Sequence, residues 1–167
     1  PMLTDAHYTI EFATGVLLVL MLAGGAGRIA GGKLCDSIGA LPTYILMSAG
    51  QTLSVFGFPY IEQSVALYLL AIAFGFTYSG VMSSILVCVR MMVPARFSGR
   101  AMSITSFFGW TGMGLGGFFG GLLFDVSGGY RWAFAFAFFM GIVNLIILSL
   151  FYMRVRSQTA QQSHPAM

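Results

Sequence analysis

Long apolar runs alternate with short polar or charged segments along this chain. Five of those runs approach the roughly 20 residues a helix needs to cross hydrocarbon. They cover residues 12–31, 43–60, 65–89, 101–124 and 132–153, and each is apolar all round rather than on one stripe. Strands of a membrane barrel would instead alternate apolar and polar positions over about ten residues. The pattern therefore predicts an all-α membrane bundle of about five spanning helices, because a helix satisfies its backbone hydrogen bonds within the segment.

The separators fit that division. Pro42 stands where a helix start tolerates proline, Pro59 where the second run should stop, and Pro94 shortly after the third. Ser127-Gly128-Gly129 reads as a turn before the last run. Residues 1–156 are expected to form one partial transmembrane domain, with 157–167 a polar, disordered tail. Pro1-Met2 opens on no basic region and no cleavage site, so the sequence reads as a piece of something longer without a signal peptide.

Composition agrees with the pattern: 57% of the 167 residues are hydrophobic and only 8% charged, at a mean hydropathy of +0.86. A soluble domain of ordinary makeup carries about three times that share of charge. Threading five helices up and down puts Arg28, Lys33, Arg90, Arg96, Arg100, Arg154 and Arg156 near one face and leaves Arg131 alone on the other. Asp5, Glu11, Glu62 and Asp125 fall on that second face. By the positive-inside rule the C-terminus is cytoplasmic, in a cell membrane (plasma or bacterial inner) crossed several times. Anionic lipid headgroups account for the net charge of +3, and nucleic acid is not an expected partner.

Little here suggests catalysis or a metal. Cys35 and Cys88 have no His or Cys at ligand spacing, and His7 and His164 lie in opposite terminal segments. A membrane-embedded enzyme would need titratable residues clustered at one depth, so no catalytic residue, cofactor or metal is assigned.

Two features do suggest function. Gly112, Gly116 and Gly120 repeat every four residues in the fourth run, as do Gly117 and Gly121, the spacing that lets helix backbones approach closely in lipid or slide on one another. Arg28 lies eight residues before Asp36, about 12 Å along a helix, so it either snorkels to the interface or faces a watery cavity. Gly24, Gly25 and Gly27 before it and Gly31 and Gly32 after it are expected to leave space around a guanidinium suited to a carboxylate. Polar candidates for a path are Tyr78, Ser79, Ser83 and Ser84 on the third run, and Thr105, Ser106, Trp110 and Thr111 on the fourth. Phe74 and Tyr78, at i and i+4, share a face and either flank a ligand or simply pack. Asn144 reads as an interhelical hydrogen bonder.

Gly32-Lys33-Leu34-Cys35-Asp36-Ser37-Ile38-Gly39 resembles the G-x-L-x-D-x-x-G loop signature of the major facilitator superfamily. With Arg28-Ile29-Ala30-Gly31 in front it is similar to the second copy of that signature, as in the monocarboxylate and oxalate:formate antiporter branches. Phe124-Asp125-Val126-Ser127-Gly128-Gly129-Tyr130 resembles the turn before the last helix of such carriers. The resemblance implies helices eight to twelve of a twelve-helix fold, with the seventh helix and the N-terminal half of the same transporter as the missing partners. It also implies a substrate-binding role for Arg28, with Phe74, Tyr78, Ser79 and Trp110 as neighbours, and a gating role for Gly32, Asp36, Gly39, Arg90 and Arg100.

Ser37 and Ala40 depart from the basic residues usual in the signature, and the fourth run lacks the lysine of oxalate carriers, which favours a monocarboxylate. The expected function is secondary active transport of a small organic anion by alternating access. A drug or sugar carrier of the same superfamily, with Arg28 only snorkelling, and a non-transporting assembly subunit are the alternatives.

Overall fold

The computed structural model describes residues 8–61 and 63–162. Asp5, His7, Glu62 and His164 lie outside the described residues. Five long helices make up the architecture: α1 (Ile10–Ile38), α2 (Ala40–Gly57), α3 (Ser64–Met92), α4 (Ser98–Ser127) and α5 (Tyr130–Gln162). Three-residue 3₁₀ turns follow α2 (Phe58–Tyr60) and precede α4 (Ala95–Phe97). Among the described residues, four helical stretches are long and apolar enough to cross a membrane: Ile10–Ile38, Ser64–Met92, Ala95–Ser127 and Tyr130–Gln158. The 18-residue α2 is shorter and carries Ser48, Gln51, Thr52 and Ser54, which dilute its apolar character.

Except for α2, which stops at Gly57 before its run ends at residue 60, the helices outrun the apolar runs at both ends. Lys33, Asp36 and Ser37 read as loop from their charge and polarity, yet α1 continues through them to Ile38. Charge marks where hydrocarbon ends; it does not by itself stop a helix. Gly39 ends α1, with φ +94 and its N–H on the Cys35 carbonyl at 3.1 Å, in a region of backbone space that side chains avoid. Its own carbonyl accepts from the Thr43 hydroxyl at 2.8 Å, so α2 begins without a break. Gly128, at φ +68, closes α4 by donating to the Phe124 carbonyl at 2.8 Å. At the far end α5 runs on to Gln162, so the first part of the expected disordered tail is helical.

Helix α3 is the hub, packing most extensively on α1 and then on α2, while α5 seats against α2 and α4. In lipid, apolar side chains gain little by leaving one another's neighbours for hydrocarbon, so close backbone approach matters more than greasy area. The α1–α3 seam shows it: a Cβ on Gly27 would run into the Phe76 carbonyl, and one on Gly75 into the Leu20 carbonyl. Gly24 and Gly31 are buried in the same seam. This corrects the expectation that the glycines flanking Arg28 leave open space, which holds only for Gly25 and Gly32. Asn144 of α5 donates to the Ser48 hydroxyl of α2 at 3.4 Å, tying the second seam. Helix α4 has no buried residue, and no other part of the described residues lies within 4 Å of a Cβ placed on Gly112, Gly116 or Gly120.

Candidate functional site

Arg28 follows Gly27 by one residue, about 100° round the helix. Because Gly27 is pressed into the α1–α3 seam, Arg28 emerges at the seam's margin, where α4 leans towards α3. There it lines an open cavity of about 290 Å³ with Met82, Ser83 and Leu86 of α3 and Thr105, Ser106, Gly109, Trp110 and Met113 of α4. The α4 residues recur at three- and four-residue intervals, so one face of that helix supplies a whole wall.

Arg28 is the only charged residue lining the cavity, and it has no ion pair among the described residues. The lining is otherwise mainly apolar, although Arg28 and Trp110 are themselves exposed. The hydroxyls divide by chemistry. Ser83 donates its proton to the Ser79 carbonyl at 3.2 Å and Thr105 to the Ala101 carbonyl at 2.9 Å, so both offer lone pairs to a ligand. Ser106, the Trp110 indole and the Arg28 guanidinium remain as donors. One end of the site therefore suits an anion and the rest an apolar or hydroxylated body.

The other candidate residues divide. Tyr78 reaches the cavity's edge, its hydroxyl 3.8 Å from the sulfur of Met113. Phe74 stacks on Tyr78 at 5.7 Å and meets Phe58 edge-on at 5.9 Å, in an aromatic ladder that continues to Phe134 of α5. That ladder leads away from Arg28. Ser79 is buried beside Gly24, within the α1–α3 seam rather than on the cavity wall. Ser84 is fully buried, donating to the Gly80 carbonyl at 2.7 Å and receiving the Cys35 thiol at 3.6 Å. Met82, Leu86, Gly109 and Met113 also line the cavity, and polarity alone does not single them out in the sequence. Their signal was the three- and four-residue spacing from Tyr78, Ser83, Thr105 and Trp110.

Towards the C-terminal end of α1, beyond Arg28, Gly32 faces open space and Asp36 is exposed. Asp36 forms no ion pair with Arg90 or Arg100, both of which are exposed as well. The loop motif thus stands with its charges unengaged, and Gly39 is explained by its backbone conformation.

Comparison with known families gives one match: the sequence model described as Major Facilitator Superfamily covers residues 1–166. No curated protein and no solved structure matches the chain.

Proposed function

The chain belongs to the major facilitator superfamily, and from that premise we propose that this multi-pass membrane protein is a secondary transporter whose solute is a small organic anion, a monocarboxylate above all. The observation that carries the reading is a lone arginine on a cavity, with no ion pair and no facing acid among the described residues. Its guanidinium would take the carboxylate through two parallel hydrogen bonds. The Trp110 indole and the Ser106 hydroxyl would donate to the same group, and Met82, Leu86 and Met113 would cover a short carbon chain. Lone pairs on Ser83 and Thr105 would receive a hydroxyl next to the carboxylate. At about 290 Å³ the cavity suits a molecule of few heavy atoms.

Alternating access would rock this bundle against a second one, burying the site from each side in turn. Guanidinium does not give up its proton in a protein, so Arg28 would bind without coupling transport to protons. The glycine face of α4 would offer a smooth surface for that motion, and Asp36, Arg90 and Arg100 would engage in the conformation closed at their end. Reconstituted carrier tested with labelled lactate, pyruvate, acetate and formate beside neutral sugars and cationic drugs separates the readings. Uptake competed by monocarboxylates alone fits the assignment; competition by neutral or cationic solutes alone would make Arg28 a snorkelling residue.

A further inference from the structure

A second cavity, of about 240 Å³, lies among α2, α3 and α5, with Ser48, Gln51 and Thr52 of α2 and Asn144 of α5 on its wall. None of the described residues lining it is charged. Thr43, Thr52 and Ser54 each donate to the carbonyl four residues earlier, at 2.8 Å. Buried Ser48 does not: its hydroxyl accepts from Asn144 at 3.4 Å, and its proton has no acceptor among the described residues. The side-chain amide of half-buried Gln51 has no hydrogen bond among them either. The chamber thus offers donors from Ser48 and Gln51 and acceptors from Gln51, Thr52 and Asn144. Such a set suits hydroxyl groups, which both give and receive, and holds nothing to balance a charge.

Met82 borders this chamber and the Arg28 cavity alike, and no other described residue lines both. Successive residues of α3 stand 100° apart, so Val81 turns to the chamber, Ser83 to the Arg28 cavity, and Met82 lies between them. The partition is a single unbranched side chain with three rotatable bonds, which can fold aside.

We propose that Met82 sets the length of acid the carrier accepts, and that the chamber behind it is a subsite for the hydroxyls of a longer monocarboxylate. With Arg28 holding the carboxylate, the reading on which this rests, a short acid ends at Met82. A longer one must displace that side chain, and beyond it hydroxyls find partners whereas methylenes leave Ser48 and Gln51 without them.

Uptake of labelled lactate into proteoliposomes, competed by gluconate and by hexanoate, is the test, because these two six-carbon acids differ in their hydroxyls. Gluconate should compete weakly in the unaltered carrier. In Met82→Ala it should compete at least about tenfold better, the worth of one or two added hydrogen bonds, while hexanoate gains far less. Adding Gln51→Leu should remove most of the gluconate gain. Met82→Val trims the same side chain less and should show a smaller gain of the same kind, which decides the matter if the alanine variant takes up no lactate. Equal gains for gluconate and hexanoate, no gain in either variant, or a gluconate gain that survives Gln51→Leu would overturn the proposal while lactate uptake by the parent stands. A parent protein that takes up no lactate would bring down the carboxylate reading, and this subsite with it.

Discussion

Gly27 of α1 stands against the carbonyl of Phe76 on α3, so closely that a single added carbon would overlap it. This contact sets the distance between the two helices, and the next residue, Arg28, takes its direction into the neighbouring cavity from it. Gly27→Ala should therefore cost about 1–3 kcal/mol, the usual penalty for an extra carbon in a filled seam. Gly25→Ala, two positions away with nothing within 4 Å, should be neutral or slightly stabilising. Reversible unfolding in mixed micelles measures both, and equal effects would mean that the seam is looser than described.

Gly39→Ala should be costly for a different reason. Its φ of +94 excludes a side chain on backbone grounds, although Pro42 leaves room at 3.6 Å. A loss of about 1–3 kcal/mol is expected. Gly32→Ala, at an open helical position, serves as the comparison in the same unfolding assay, and a smaller loss at Gly39 than at Gly32 would contradict the backbone argument.

The hydrogen bond from Asn144 to Ser48 crosses between α5 and α2 at 3.4 Å. In membrane bundles such bonds contribute about 0.6 kcal/mol on average and up to about 1.7. A double-mutant cycle of Asn144→Ala and Ser48→Ala should return a coupling in that range. Strictly additive single losses would show that the pair is adjacent without being bonded.

The glycine stripe of α4 separates stability from transport. Because no other part of the described residues lies within 4 Å of a Cβ placed on Gly112 or Gly116, alanine at both should leave unfolding unchanged or raise its midpoint through better helix propensity. If the stripe is the sliding face of the rocking bundle, the same substitutions should slow uptake several-fold. Full transport by the doubly substituted carrier would remove the stripe from the mechanism.

The helical fold was legible because apolar runs of this length leave no other way to satisfy the backbone in lipid. Helix ends were less so: Lys33 and Asp36 are polar enough to suggest a loop, yet nothing about a charged side chain breaks a helix, and Gly39 does the stopping. Arg28, Trp110, Ser83, Thr105 and Ser106 were found from their chemistry, and the structure gathers all five on one cavity. Phe74 and Ser79 had the right chemistry on another face of α3. A residue type says what it can bind, but only the helix crossing decides which way it faces. The seam glycines Gly24, Gly27 and Gly31 misled for the same reason, since small size serves close packing as readily as open space.

The central claim is that Arg28 holds a carboxylate, and uptake of a labelled monocarboxylate into proteoliposomes carrying Arg28→Gln tests it most directly. Loss of a charged hydrogen-bonding partner should lower uptake at limiting substrate at least about tenfold, with Arg28→Lys retaining part of it and both variants inserted and folded as the parent is. Undiminished monocarboxylate uptake by Arg28→Gln would contradict the account.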